Sequence, residues 1–303
     1  MMRFGIDAGY FSDDKVEAGI NAFKQAGSAG IVAGYVQTRA MLEANAEKTD
    51  GWGCKHEEAT IEGVSCLWTS WPGQEASQPI VWLHGGAYTL FSPRSYRALA
   101  ARLSQATGRR VLVPDHSLAP EHPYPTALDE VDRVWTSVAA EGGCALGGDS
   151  SGGGLALALM QRLAEQGRAG PTAAVLMAPW VDLSLTAASF DANDRVDSCV
   201  RSQLRLSALA YAAGLDPATD AGVSPLRGAL GGLAPLLLIV GSCDTLLDDS
   251  LELAQRVKAA GGSVRLDVAE AMPHVYAVHA AYSPRAQRAF ADAAQFLNTA
   301  ASE

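Results

Sequence analysis

A serine set among glycines is the most reactive-looking feature of this chain. Gly148-Asp149-Ser150-Ser151-Gly152 follows the short apolar run Cys144–Leu146 and precedes a helix-forming stretch, LALALMQRLAEQ. At a sharp turn from strand to helix the central serine must adopt strained backbone angles. Its neighbours must be small, because Cβ atoms there would strike adjacent strands. Such a turn lifts the hydroxyl above the sheet and places it at a helix N-terminus, where free N–H groups favour developing negative charge. The pattern makes Ser150 a candidate nucleophile. Ser151, one residue into the helix, is its rival. A dinucleotide loop would need G-x-G-x-x-G and an acidic residue about 20 positions later, and the spacing does not fit.

A serine hydroxyl is a poor nucleophile until a base takes its proton, and attack on a carbonyl needs donors for the oxygen that becomes charged. Val81-Trp82-Leu83-His84-Gly85-Gly86-Ala87-Tyr88 can supply the donors. Gly85 permits the turn, and the N–H groups of Gly86, Ala87 and Ser151 are the expected oxyanion hole. His84 suits a bracing hydrogen bond to the backbone better than a base. Among the six histidines, His274 lies in a loop directly after the last predicted strand, where an imidazole can reach over the serine. His279 is the weaker rival, and His116 and His122 flank a loop. An unperturbed imidazole would lose its basic form below about pH 6. Asp244, after the strand LLLIVGSC, is the candidate acid that would orient it. Asp248 and Asp249, just before an apolar helix, suit capping and interaction with the helix dipole.

The elements that must carry these residues follow from periodicity. Strands are predicted at Thr60–Thr69, Pro79–Leu83, Arg110–Val113, Cys144–Leu146, Ala173–Ala178, Leu236–Val240 and Val264–Val268. Helices are predicted at Thr126–Ala140 with Thr126 as N-cap, after Ser151, at Asp248–Ala260 and from Pro284 to Leu297. Strand–helix alternation of this kind implies an α/β fold with a mostly parallel central sheet and helices on both faces. Residues 1–50 read as two amphipathic helices, with Ile20 and Phe23 on the first and Ile31, Tyr35 and Met41–Leu42 on the second. Between Trp180 and Gly222 the alternation stops, a polar stretch gives way to a helical run at Gln203–Ala213, and an insertion over the sheet edge is expected.

These residues resemble the hormone-sensitive-lipase-like group of the α/β-hydrolase superfamily, the bacterial family IV carboxylesterases. The matching pieces are His84-Gly85-Gly86-Ala87, Leu118-Ala119-Pro120-Glu121-His122-Pro123-Tyr124-Pro125, Gly148-Asp149-Ser150-Ser151-Gly152-Gly153, Ala178-Pro179-Trp180-Val181-Asp182-Leu183, and Asp244 through Asp249. The order Ser150, Asp244, His274 is the one an α/β-hydrolase uses. The resemblance implies an α/β-hydrolase fold with a helical cap built from residues 1–50 and an insertion at about 183–222 of the catalytic domain 51–303. It also implies a serine carboxylesterase acting on short- to medium-chain acyl esters through an acyl-enzyme. A lactone hydrolase with the same triad, or a non-catalytic small-molecule receptor on the same fold, is the alternative. Tyr88, Trp180, Val181 and Leu204 are expected pocket walls, with core or cap packing the competing use. Asp149 either faces the pocket or hydrogen-bonds the turn. Three departures stand out: Ala87 replaces the third glycine, His116-Ser117 replaces Tyr-Arg, and Asp244-Thr245-Leu246 replaces Asp-Pro-Leu.

Composition narrows the rest. The 303 residues carry a net charge of −10, with 48% hydrophobic and 18% charged residues. That balance favours a large core over disorder and argues against nucleic acid, which needs clustered Lys and Arg. No apolar run reaches a membrane-spanning length, and the N-terminus lacks the charged-then-apolar pattern of a secretory signal. The five cysteines have no paired ligand spacing, which fits reduced thiols in a cytoplasmic protein and no metal site. No cofactor is expected, the partner is a small ester or lactone, and a homodimer is compatible with the chain.

Overall fold

Five short runs, Ile80–Leu83 (β3), Val111–Pro114 (β4), Ala145–Asp149 (β5), Ala174–Met177 (β6) and Leu236–Gly241 (β7), are buried at every residue. Strands buried on both faces need apolar or small residues, and these have them at every position but Asp149, which ends β5. A computed structural model describes residues 32–46, 53–75, 77–199, 201–279 and 283–299. Three further strands, Lys55–Ile61 (β1), Val64–Ser70 (β2) and Val264–Ala269 (β8), complete an eight-stranded sheet in the order β1-β2-β4-β3-β5-β6-β7-β8. The pairs from β4 to β8 are parallel, whereas β2 runs antiparallel to β4 and β1 antiparallel to β2.

Strand periodicity divides the core in two. Ile80 and Trp82 point to one face, with Val111, Val113, Val175, Leu237 and Ile239. There they meet helices Arg97–Thr107 (α2) and Pro284–Thr299 (α8). Val81 and Leu83 point to the other, with Leu112, Leu146, Leu176 and Leu238. That face is covered by Thr126–Val138 (α3), Ser151–Glu165 (α4) and Leu247–Ala259 (α7). Helices Val32–Ala46 (α1), Ala188–Asn193 (α5) and Arg201–Ala212 (α6) make up the remainder. No helix among the described residues is long and apolar enough to cross a membrane.

The predicted parallel strands are present to within a few residues, and three readings need correction. The strand predicted at Thr60–Thr69 is a hairpin, because Glu62 and Gly63 take positive φ values of 50° and 81° and turn the chain between β1 and β2. Thr126 is the first residue of α3 and not its cap; Pro125 precedes it and no side-chain cap bond forms. Helices α2 and α5 were not anticipated. Of the two helices expected in residues 1–50, the second is α1, and the first lies outside the described residues.

At the amino end of the sheet, one buried guanidinium binds carbonyls on three other segments. Arg109 donates to the carbonyls of Gln78, Pro79, Gly143 and Leu297. These precede β3, precede β5 and end α8. Replacing a donor that several buried acceptors share costs about 1–3 kcal/mol. Arg109→Met is therefore expected to lower unfolding stability by about 2 kcal/mol, read as a lower urea midpoint with the slope unchanged.

Candidate active site

The candidate nucleophile, base, acid and oxyanion residues follow the carboxyl ends of parallel strands, where an open α/β sheet presents its crevice. Strand β5 runs directly into Ser150, whose φ of 52° and ψ of −124° lie outside the usual regions for a side-chain-bearing residue. A conformation of this kind costs of order 1–3 kcal/mol and needs support from its surroundings. Three backbone bonds give that support: Ser150 N–H to the Met177 carbonyl, and the Ser150 carbonyl to the N–H groups of Gly154 and Trp180. A Cβ at Gly152 would lie 2.1 Å from the Leu83 carbonyl oxygen, and one at Gly148 would lie 2.4 Å from the Gly152 oxygen. Only glycine allows α4 to begin this close to β3.

The loop after β3 lies against that turn. Gly86, Ala87 and Tyr88 all have positive φ, at 113°, 54° and 62°. Ala87 therefore holds, with a side chain, a left-handed conformation that glycine takes freely. The N–H of Tyr88 donates to Ser151 Oγ at 3.1 Å. The N–H of Gly85 donates to the Tyr96 hydroxyl at 2.8 Å, and that hydroxyl donates to Asp149 at 2.7 Å. Asp149 also accepts from the Trp82 indole at 3.0 Å. Both side-chain bonds of Asp149 thus go to side chains outside the Ser150 turn, one on β3 and one on the segment Pro93–Tyr96. Burial pushes its carboxyl up to about 6, against the pull of Tyr96 and Trp82. His84 is wholly buried, its Nδ1 lies 2.8 Å from the Gly85 carbonyl, and its ring stacks on His116 at 4.1 Å. It braces the loop as expected, and burial and His116 hold it neutral.

Asp244, fully buried, follows β7, and His274 follows β8. The imidazole Nδ1 lies 3.1 Å from both Asp244 carboxylate oxygens. Asp244 also accepts from the Leu246 N–H. Burial opposes a charge on His274, but Asp244 outweighs it, with help from Asp197 and Asp149, and raises the imidazole to about 9. Asp149, the weakest of these three influences, precedes Ser150 in the chain. Asp248 and Asp249 lie in the first turn of α7, where an acid suits the helix dipole, but they do not cap it: Asp248 accepts from Ser189 N–H, and Asp249 accepts from the N–H groups of Val181 and Asp182. His279 ends the short helical turn Tyr276–His279, one element past the loop.

Sequence reasoning missed three side chains. Tyr96 carries no motif. Asp197 was seen only as part of a polar stretch. Arg39, on α1, donates to the carbonyls of Thr89 and Ala119 and forms an ion pair with Glu121 at 2.8 Å. A guanidinium thus reaches the Leu-Ala-Pro-Glu loop although Ser117 stands where the resemblance implies arginine. Ser117 instead donates twice to Glu130. Of the expected pocket walls, Trp180 and Val181 are completely buried, and Tyr88 and Leu204 nearly so, all within one core cluster. Tyr88 stacks on Tyr211 at 3.7 Å, with Trp180 6.0 Å away.

Comparison with known proteins agrees with this layout. The family model described as alpha/beta hydrolase fold matches residues 80–278. An acetyl-hydrolase of Streptomyces hygroscopicus is 37% identical over 250 residues, covering 80% of this chain and 83% of its own. An esterase of Acinetobacter venetianus is 36% identical over 229 residues, 74% of this chain and 76% of its own. Among solved structures, a mutant of the esterase E40 superposes with a TM-score of 0.84 at 34% identity, covering 88% of this chain and 92% of that one. An esterase from the bacterial hormone-sensitive lipase family gives 0.82 at 31% identity, covering 96% and 99%. By strand order, by site layout and by these matches, the chain belongs to the alpha/beta hydrolase fold family, on its hormone-sensitive-lipase-like branch, and is a carboxylic ester hydrolase.

Proposed function

We propose that this chain hydrolyses short- to medium-chain acyl esters through Ser150, His274 and Asp244. The observation that carries the reading is the double contact of His274 Nδ1 with Asp244, which fixes the ring and its tautomer so that Nε2 is the nitrogen left for a substrate-side proton. In the first half-reaction His274 takes the Ser150 proton as the oxygen attacks the ester carbonyl. The N–H groups of Gly86, Ala87 and Ser151 hold the resulting oxyanion, with Gly85 shaping the loop. Protonated His274 then gives its proton to the departing alcohol. Water attacks the acyl-enzyme by the reverse route and restores Ser150.

The short-chain preference draws support from the relative named acetyl-hydrolase. The cap is assigned to the N-terminal segment and the insertion at about 183–222. Tyr35 on α1 and Ser207 on α6 are 3.2 Å apart, which supports one joined layer. All five cysteines are unpaired, in keeping with a reducing compartment such as the cytoplasm.

A series of p-nitrophenyl esters of rising acyl length, with a lactone panel beside it, tests the substrate class. Higher kcat/KM on lactones than on every open ester would overturn the acyl-ester reading. Ser150→Ala should reduce ester hydrolysis at least about 10³-fold while circular dichroism stays native. Gly152→Ala, which forces a methyl into the Leu83 and His84 carbonyls, should lower both activity and thermal midpoint, with a stability loss of about 2 kcal/mol or more. His274 acts as a base only when neutral. Because its neighbours raise it to about 9, kcat/KM should climb from neutral pH toward about 9, well alkaline of the pH 6 limit of an unperturbed imidazole. The same shift works oppositely on folding: the charged ring stabilises the fold most below its unfolded value near 6.5, and that contribution disappears as pH rises through about 9.

A further inference from the structure

Sheet pairing between β7 and β8 ends at Gly241 and Ala269, so both His274 and Asp244 sit on loops beyond the last ladder bonds. Cys243 N–H to the Met272 carbonyl and Ala271 N–H to Ser242 Oγ join the two loops near their bases. Closer to the functional groups, the link is a side chain from outside both loops. Asp197 lies in the insertion between α5 and α6. Its Oδ1 accepts the backbone N–H of His274 at 2.9 Å, and its Oδ2 accepts the backbone N–H of Thr245 at 2.8 Å.

The surrounding insertion grips the same acid loop. Asn193 donates to the carbonyls of Ser242 and Asp244, Ser189 Oγ donates to the Thr245 carbonyl, and Thr245 Oγ1 donates to the Cys199 carbonyl. Asp197, Asp244 and His274 bring their polar atoms within 4.8 Å of one another. Such a trio can suggest a cation site. Here, however, the Asp197 oxygens already accept N–H donors, and Asp244 faces the ring nitrogen directly.

We infer that Asp197 is a positioning residue for His274 and Asp244: one carboxylate from the insertion fixes the backbone of the base loop and of the acid loop together, and sets a second negative charge beside the imidazole. This role rests on the triad reading above. Its chemical consequence has two parts. Fixing both loops holds the ring in its place against Asp244, and misplacement of a catalytic group by about 1 Å can cost 100-fold. The added charge favours the imidazolium that forms during attack, and raises the pH at which the free ring becomes basic. The charged and titratable groups around the ring are Asp244 on its loop, Asp197 on the insertion, Asp149 at the turn before Ser150, and the Cys199 thiol. Burial, then Asp197 and Asp244, keep that thiol protonated.

The test uses the full chain, with sites counted by stoichiometric fluorophosphonate labelling of Ser150 so that misfolded protein does not enter kcat. Asp197→Asn should label fully but slowly. On p-nitrophenyl acetate its kcat should fall about 10- to 100-fold with KM within about 3-fold, and the acid limb of kcat/KM should move by about 0.5 pH units or more toward acid. Asp197→Glu, which restores the charge, should return that limb to its wild-type position. Thr245→Val keeps every charge and should lower kcat about 3-fold without moving the limb. If wild-type Ser150 takes no label, the triad reading fails and this role with it. If the wild type labels and Asp197→Asn matches it in kcat and in pH limb, only the positioning role fails. If Asp197→Asn gives no labelled protein, wild-type kcat in both Asp197→Glu and Thr245→Val overturns the role.

Discussion

The site is organised around a steric constraint at one turn. Strand β5 must pass into helix α4 within a single residue, and that residue, Ser150, is held at positive φ by carbonyls and N–H groups of its neighbours. The turn closes only because Gly148 and Gly152 offer no side chain to the backbone of β3 and α4. With α4 pressed this near, its first N–H groups and the loop after β3 converge on the same space. The tie from Tyr88 N–H to Ser151 Oγ and the relay from Gly85 through Tyr96 to Asp149 hold that convergence. On the mechanism proposed above, charge stabilisation at the site is largely a property of backbone placement.

Electrostatics supplies the second half of the design. His84 and His116 are stacked and buried without an acid between them, and both are held neutral by burial. His274 is buried too, yet carboxylates on three different segments turn the balance toward the charged form. The same side-chain type is a neutral brace in one loop and is drawn toward its charged form in another, and the difference is where the carboxylates lie. Asp248 and Asp249 point the same way. Their position before a helix suggested capping, but their oxygens serve the Ser189 and Val181–Asp182 backbone.

Much of this was legible before any coordinates. The fully buried strands β3 to β7 announce themselves as short apolar runs, and Ser150, Asp244 and His274 each follow a predicted strand, so motif and element point to the same place. What escaped notice depends on distant partners. Tyr96 acts 53 residues away on Asp149, Arg39 acts 82 residues away on Glu121, and Asp197 acts 77 residues away on His274. None of the three sits in a pattern that local spacing can reveal. Helix α2 was missed because Leu99 and Leu103 are its main apolar markers among alanines and polar residues. The β1–β2 hairpin was read as one strand because its Glu62-Gly63 turn lies inside a β-favouring run.

The bonds from Ser189, Asn193 and Cys199 to the loop Ser242–Asp248 give the insertion a double identity. It is at once a part of the segment assigned above to the cap and the support of the loop that follows β7. Recombination within this fold is therefore not free to exchange covers for new shapes as independent modules. Residues 189–199 and 242–248 form one heritable unit, and a graft that moves the first without the second separates donors from the acceptors they were built to meet.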